Sequence, residues 1–168
     1  KELISELKNS LQTKSCVSLY RKLQSLETLS LSHNKKIHSL ELLQAAKRLT
    51  KLYLNESKFK KARSLESFRS LRVLDLSQTK IEKLPDFRFL PRLEELNLNY
   101  LDIKDWSPLK ALKKLKKLSL RGSNFSDTRL LQNLSEVENL DLGKTRITEL
   151  KTIAKLKSTK AGKKKLAA

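Results

Sequence analysis

The sequence contains few of the residues that crosslink, kink or enlarge a protein core. Its 168 residues include one cysteine, three glycines, three prolines and no methionine, and aromatic residues make up only 5% of the chain. A single cysteine, Cys16, cannot form an internal disulfide, which excludes a small disulfide-stabilised domain. With so few rings, the hydrophobic core has to be built mainly from aliphatic side chains.

Residues typical of several kinds of functional site are also missing. No run of 18 or more apolar residues is present, so the sequence predicts no membrane-spanning segment. The two histidines, His33 and His38, have no second ligand at a metal-binding spacing. The glycines do not form a phosphate-binding loop, and no nucleophile signature marks a catalytic residue. We therefore expect no metal, no cofactor and no enzymatic activity.

Negative charge is scarce. Lysine and arginine number 37 against 18 acidic residues, which gives a formal net charge of +19. Such an excess can attract nucleic acid, acidic lipids or acidic proteins. The lysines are scattered along the sequence without aromatic residues between them, which argues against a nucleic-acid-binding platform and favours a solubilising coat.

The sequence does contain one pattern, L-x-x-L-x-L, in six copies. The first step between copies is 23 residues and every later step is 22, and a further apolar residue such as Phe59 or Ile81 follows each third leucine. A period of this length is typical of a repeat protein. The six copies are Leu26-Leu29-Leu31, Leu49-Leu52-Leu54, Leu71-Leu74-Leu76, Leu93-Leu96-Leu98, Leu115-Leu118-Leu120 and Val137-Leu140-Leu142.

The alternation within each copy predicts a short strand with its leucines on one face. A single strand cannot bury that face alone, so neighbouring copies have to stack. We therefore predict an α/β solenoid. Its strands form a parallel sheet on the concave side, and the rest of each unit returns along the convex side as loops, 3₁₀ turns and short helical turns.

These repeats resemble those of leucine-rich repeat proteins, in the 22-residue subclass of bacterial internalins and of a eukaryotic phosphatase-regulator family. The resemblance covers about residues 23–156, and the segment from Ile103 to Leu109 is especially similar to internalin repeats. It implies a non-catalytic, monomeric scaffold for a protein partner, with a bacterial surface or secreted location favoured over the cytoplasm. Two alternatives stay open: an intracellular adaptor of the phosphatase-regulator type, and binding of nucleic acid or another polyanion, such as an acidic membrane or a glycan, through the basic convex face and tail.

Three regions follow from the repeat boundaries. Residues 1–22 are predicted to be an N-terminal helical cap, with a helix over about residues 1–13, because the apolar residues there have helical spacing. Residues 23–156 form the six repeats. Residues 157–168 are a basic tail or an irregular C-terminal end, since the leucine pattern stops at Thr159. The last residues resemble a vector-encoded purification tail and are left out of functional reasoning.

In the proteins that these repeats resemble, a polar side chain three positions after the third leucine satisfies backbone groups that the turn leaves without partners. The resemblance implies asparagine at this position, and only Asn34 fits. Hydroxyl groups can replace part of its function, but Leu101 cannot, so we expect an irregularity or an ordered water near Leu101. Hydroxyl residues occupy the other four positions: Ser57, Thr79, Ser123 and Thr145.

The side chains between the leucines are predicted to point outward from the concave sheet. Each unit contributes five such positions, so the composition of the concave surface can be predicted from the sequence. Ser77 is one of these thirty positions, which together carry six basic and seven acidic residues. The concave face is therefore not the basic face. A mixed polar surface is also what any solvated sheet displays.

Tyrosine and amide residues cluster at the centre of this surface, and they suit protein recognition because they give adaptable contacts at low entropic cost. The predicted partner-binding residues are Tyr53, Asn55, Asp75, Gln78, Asn97, Asn99, Tyr100 and Arg121. The sheet offers only about 400 Å² against the roughly 800 Å² that a standard interface needs. A partner is therefore expected to touch a flank as well, made of His33, Lys35, Lys36, Lys58, Lys60 and Lys61.

Overall fold

The structure, a computed structural model, describes residues 2–148 and 165–167. Seven parallel strands form one sheet in which the order along the sheet equals the order along the chain. Every connection therefore returns to the same side of the sheet, as in a solenoid. The strands are β1 Thr28–Ser30, β2 Lys51–Tyr53, β3 Val73–Asp75, β4 Glu95–Asn97, β5 Lys117–Ser119, β6 Asn139–Asp141 and β7 Lys165–Ala167.

The register of the sheet follows the leucine pattern. The central residue of each strand is a leucine, and Leu52, Leu74 and Leu96 are direct partners of one another in β2, β3 and β4. In β1 to β6 this leucine is buried and its two neighbours are exposed or half-buried. The predicted α/β solenoid with its parallel concave sheet is confirmed.

The convex side is built from short 3₁₀ segments, as predicted. Two of them are capped at their N-terminus by an aspartate. The Asp86 carboxylate accepts a hydrogen bond from the Arg88 backbone amide at 3.0 Å, and the Asp127 carboxylate accepts one from the Arg129 backbone amide at 3.1 Å. Such caps satisfy amides that a helical turn leaves open. The segments are η1 Glu41–Leu43, η2 Ala62–Ser67, η3 Phe87–Phe89, η4 Ser107–Ala111 and η5 Thr128–Leu131.

One continuous hydrophobic core runs between the sheet and the convex segments, from Leu7 to Leu142. Leucines supply most of it, and a few aromatic rings lie among them, of which Phe59 and Phe125 are fully buried. Trp106 is 8% exposed and packs edge-on against Phe125 with 5.4 Å between ring centroids. The aliphatic character of the core follows directly from the composition of the chain.

Two helices, rather than one, cover the N-terminal end of the stack. They are α1, Glu2–Ser10, and α2, Cys16–Ser25. The second helix was not predicted, although Ser15 caps it by accepting a hydrogen bond from the Ser18 amide at 3.1 Å. Leu19 and Leu23, one turn apart, are buried against the core. Two helices are needed because one short helix would leave part of the first repeat exposed.

The C-terminal strand β7 pairs with β6 in the same parallel register. It consists of Lys165, Leu166 and Ala167, which belong to the end of the chain that resembles a vector-encoded purification tail. The tail predicted for residues 157–168 otherwise lies outside the described residues. Within the described part of the chain, no helix is long and apolar enough to cross a membrane.

After each of the strands β1 to β6 the backbone enters the left-handed region at one fixed position. Five of the six residues there are not glycine, although glycine adopts this conformation without steric cost. Gly122, with φ of 66°, is the exception, and a Cβ atom at this residue would lie 2.5 Å from the Tyr100 ring. The other positions are His33, Glu56, Gln78, Tyr100 and Lys144, with φ between 57° and 59° except for 54° at Gln78.

Replacing Gln78 with glycine is expected to stabilise the protein by about 0.5–1 kcal/mol, because relief of the left-handed strain exceeds the extra entropy of glycine in the unfolded chain. Gln78 is exposed, so no packing is lost. Chemical denaturation of Gln78→Gly, with Gln78→Ala as the control that keeps the strain, measures the difference. A destabilised glycine variant would contradict this explanation.

Polar side chains satisfy the turns after β1, β2, β3, β5 and β6, as predicted. Asn34 accepts hydrogen bonds from the Lys36 and Ile37 amides at 2.9 and 3.1 Å. The hydroxyls donate to the carbonyl of the third leucine instead: Ser57 to Leu54 at 2.6 Å, Thr79 to Leu76 at 2.7 Å, Ser123 to Leu120 at 2.6 Å and Thr145 to Leu142 at 2.7 Å.

The turn at Leu101 departs from the others, in line with the expected irregularity, because its polar side chain comes from the next repeat. Asn124 accepts a hydrogen bond from the Ile103 amide at 3.1 Å and another from the Trp106 indole at 3.0 Å. It also donates to the Ile103 carbonyl at 3.1 Å and to Asp102. One asparagine therefore serves the backbone and the buried indole together, and Leu101 is free to join the core at 3% exposure.

Candidate functional site

A shallow depression of about 420 Å³ lies on the concave side and crosses β2 to β6. It exists because the first and third residues of each strand face outward while the central leucine faces the core. The depression is open along its length. Its lining residues are Tyr53, Val73, Leu74, Asp75, Glu95, Leu96, Asn97, Asn99, Lys117, Leu118, Ser119, Asn139, Leu140 and Asp141.

A ladder of hydrogen bonds holds the polar side chains of the depression in place. The Asn97 side chain in β4 donates a hydrogen bond to the Asp75 carboxylate in β3 at 3.0 Å. Its side-chain carbonyl accepts a hydrogen bond from the Asn99 backbone amide at 3.1 Å. Asn99 in turn accepts from the Ser119 hydroxyl at 2.6 Å and from the Arg121 amide at 2.8 Å. These side chains are fixed before any partner arrives, which lowers the entropic cost of binding.

Four of the eight predicted partner-binding residues line the depression: Tyr53, Asp75, Asn97 and Asn99. The other four lie at its margin. Asn55 accepts a hydrogen bond from Ser32 at 2.6 Å, and Arg121 lies 3.6 Å from Asp141. Gln78 and Tyr100 occupy the left-handed position after their strands, and their side chains are exposed.

The predicted flank residues are not part of the depression. His33 pairs with the Glu56 carboxylate at 3.1 Å, and the Lys35 ammonium donates to the Glu56 carbonyl at 2.9 Å. Lys61 lies 3.3 Å from Glu41 on the convex side. The other three flank residues are exposed at the turns after β1 and β2: Lys36, Lys58 and Lys60.

Sequence analysis did not select six further outward residues that line the depression, namely Val73, Glu95, Lys117, Ser119, Asn139 and Asp141. Ser119 and Asp141 occupy the same strand position as Asp75 and Asn97, and the other four occupy the first position of their strands, so the repeat phase could have identified them. Two outward assignments were wrong, because Gly143 and Ser77, which occupy the same repeat position, are both buried. Ser77 is buried at 7% exposure, and its amide and hydroxyl both donate to Asp75, at 2.9 and 2.7 Å.

Ion pairs across neighbouring strands border the depression on the side where the strands begin. Glu94 contacts both Arg72 at 2.8 Å and Lys116 at 3.0 Å, and Glu95 contacts Lys117 at 2.8 Å. The hydrogen bond from Lys116 lowers the pKa of Glu94, and the Arg72 charge lowers it further. The hydrogen bond to Glu95 raises the pKa of Lys117. Charge alternates from strand to strand, which favours the observed register.

Acid is expected to weaken the stack partly through Glu94. Its pKa in the folded protein lies below the ordinary value of 4.5. Because folding lowers the pKa of Glu94, the stabilisation that its carboxylate contributes is present above pH 4.5. This stabilisation is lost as the pH falls through the pKa of Glu94 in the folded protein. Glu94→Gln should therefore flatten the acid side of a plot of thermal midpoint against pH between about 3 and 7. An unchanged acid slope would contradict a role for this pair.

The described residues hold no group of three or more histidine, cysteine or acidic side chains that could bind a metal ion. Cys16, at the start of α2, is exposed. The groups on the concave face can form hydrogen bonds, ion pairs and contacts with a tyrosine ring.

The repeats match a known sequence family. A profile for leucine-rich repeats in two copies matches residues 69–111, which include β3 and β4 and their convex segments. The same unit recurs in register over six strands of the structure. Over these residues the chain contains leucine-rich repeats. Proteins of this family generally bind protein partners and are typically non-enzymatic recognition scaffolds.

Solved leucine-rich repeat structures share this fold. An internalin of Listeria monocytogenes, inlF, is 23% identical with a TM-score of 0.75, and the match covers 93% of this chain and 53% of that one. Internalin C2 of the same organism is 18% identical with a TM-score of 0.65, over 96% of this chain and 89% of that one. A leucine-rich repeat protein of Leptospira interrogans is 22% identical with a TM-score of 0.67, over 89% of this chain and 45% of that one.

At these identities the similarity shows the fold alone. The chain spans about half the length of the inlF internalin that it matches. No curated protein sequence matches it significantly.

Proposed function

We propose that this leucine-rich repeat protein binds a protein partner on its concave face, with the depression across β2 to β6 as the centre of the contact. The preformed ladder from Asp75 through Asn97 to Asn99 is the observation that carries the proposal. These groups need no reorganisation when a partner binds, so their remaining hydrogen-bonding capacity is available at low cost.

The shape of the depression favours a protein over a small molecule. It is open rather than enclosed and extends across five strands, whereas small-molecule sites bury most of their ligand. Two tyrosines supply the large contact area that protein interfaces favour. Tyr53 lines the depression, and Tyr100, which is 51% exposed, stands at the end of the strands.

A partner that fills the concave face should continue onto the flank after the strands. The sheet surface of about 400 Å² is half of what a standard interface buries on one side. His33, Lys35 and Lys58 stand at the turns that follow β1 and β2, and the hydrogen bond from Lys35 to the Glu56 carbonyl supports a flank at this end of the strands. The flank adds positive charge to a concave face of mixed charge.

We propose further that the protein is bacterial and acts at the cell surface or after secretion. The similar solved structures come from Listeria monocytogenes and Leptospira interrogans, which supports a bacterial origin. Detection of the full-length protein in the surface or culture fraction of its source organism would test the location.

A pull-down with matched variants tests the concave site. Tyr53→Ala/Tyr100→Ala should lose the partners that the wild type captures, since truncation of buried tyrosines in an interface costs about 2 kcal/mol or more each. Tyr20→Ala/Phe89→Ala is the control, because these rings are 55% and 41% exposed outside the concave face. Loss of the same partners from both variants, or from the control alone, would refute the concave site.

A further inference from the structure

The turns that lead into the strands carry a row of positive charge. Each turn is closed by the same hydrogen bond, from the first leucine of the repeat to the carbonyl three residues earlier: Leu49 to Ala46 at 3.2 Å, Leu71 to Phe68 at 3.0 Å, Leu93 to Leu90 at 3.2 Å and Leu115 to Leu112 at 3.4 Å. Both ends of every turn are buried. The two central residues are therefore held at the surface on a rigid frame.

Six cations occupy these four turns, and no acidic residue does. We call them the pre-strand row: Lys47, Arg48, Arg69, Arg92, Lys113 and Lys114. All six are exposed. Within the described residues only Arg48 makes an ion pair, with Glu27 at 3.1 Å. The row ends at the next turn, where Ser135 and Glu136 replace the cations.

The register of the sheet sets the spacing of the row. Lys51, Val73, Glu95 and Lys117 are direct partners in adjacent strands, so the turns that precede them also lie side by side. Three steps of about 4.8 Å give a row about 14 Å long. One strand of a DNA duplex carries a charge about every 3.4 Å along its axis, so the row spans about four phosphates.

We propose that the pre-strand row binds the phosphate backbone of a duplex nucleic acid without reading its sequence. Exposed lysine and arginine suit phosphate contacts, whereas protein interfaces are depleted in lysine and enriched in aromatic residues. The eight residues at the centres of the four turns include no aromatic side chain on which a base could stack, which favours a duplex over a single strand. A single line of charge matches a rod-like polyanion rather than a planar membrane.

This surface is separate from the depression proposed for protein recognition. None of the six residues of the row lines the depression. The two surfaces can therefore be tested independently.

Fluorescence anisotropy with a labelled duplex of about 20 base pairs, at salt concentrations from about 50 to 200 mM, tests the proposal. We expect a plot of log affinity against log salt for the wild type with a slope of about −3 to −4, as for four phosphate contacts. Arg69→Gln/Arg92→Gln/Lys113→Gln/Lys114→Gln should bind at least about tenfold more weakly at 50 mM salt, with a slope near zero or −1.

The matched control, Lys80→Gln/Lys83→Gln/Lys104→Gln/Lys144→Gln, removes the same charge from exposed positions in the turns after β3, β4 and β6. It should keep its affinity within about threefold. Equal losses in both variants would show that binding follows net charge alone, and an unbound wild type would likewise overturn the proposal. So would tighter binding to vesicles containing phosphatidylserine, or to poly-glutamate, than to the duplex. Circular dichroism of each variant verifies that it is folded.

Discussion

Leu96→Ala is expected to lower the free energy of unfolding by about 3 kcal/mol, within the range of 2–5 kcal/mol for truncation of a buried leucine. Leu96 is 2% exposed at the centre of the sheet and is the direct partner of Leu74 and Leu118. Both neighbouring repeats therefore lose contacts. A solenoid is held by contacts between adjacent repeats, so a cavity at the middle of the stack weakens the connection between its two halves.

Leu42→Ala is the matched control for this variant. Leu42 lies on the convex segment η1 and is 50% exposed, so the same change of side chain should cost less than about 0.5 kcal/mol. Urea denaturation of both variants and the wild type measures the two losses. Similar losses for Leu42→Ala and Leu96→Ala would contradict the leucine ladder as the main source of stability.

Asn124→Ala is expected to cost about 2–4 kcal/mol, because it leaves two donors without an acceptor in a mostly buried site. These donors are the Ile103 amide, 3.1 Å from the asparagine carbonyl, and the Trp106 indole nitrogen at 3.0 Å. Trp106 is only 8% exposed, so water replaces the lost acceptor poorly. The loss should exceed that of any other surface amide in the chain.

Two comparisons separate this explanation from a general packing defect. Asn124→Asp keeps an acceptor for both donors and should cost less than Asn124→Ala, although it places a carboxylate beside Asp102. Trp106→Phe removes the indole donor, so the double variant with Asn124→Ala should cost about 1 kcal/mol less than the sum of the single changes. Additive losses would contradict the hydrogen bond as the cause.

The architecture was predictable because it depends on a pattern that six copies repeat. Each L-x-x-L-x-L segment predicts where a strand lies, which of its faces is buried and how it aligns with the next strand. Because the rest of each repeat is long enough to bring the chain back to the start of the sheet, consecutive strands pair in parallel, as Leu29 does with Leu52. The second cap helix was not predictable in this way. It has no repeat to compare with, and only the Ser15 cap and the spacing of Leu19 and Leu23 indicate it.

Departures from the repeat were the hardest features to predict. Leu101 lacks the polar side chain that its turn needs, and the sequence alone gave no reason to expect it from Asn124, 23 positions further along the chain. That hydrogen bond exists only because stacking places the following repeat beside the turn. A hydrogen bond between a backbone group and a side chain of another repeat therefore cannot be predicted from the local sequence.

The candidate site could be predicted only in outline. Alternation identified which residues face outward, and Tyr53, Asp75 and Asn97 do line the depression. Ser77 was misassigned because the chain already turns away from the sheet after Asp75, whose carboxylate accepts both the Ser77 amide and its hydroxyl. The left-handed position that follows also moves Gln78 and Tyr100 to the margin.

Photo-crosslinking tests the proposed concave site most directly. A photoreactive phenylalanine analogue placed at Tyr53 lies in the depression, and the same group at Phe89 lies exposed on the convex segment η3. Irradiation in an extract of the source organism or its host is expected to give a discrete protein adduct from position 53 and none from position 89. Adducts from position 89 alone, or the same adducts from both positions, would contradict recognition through the concave face.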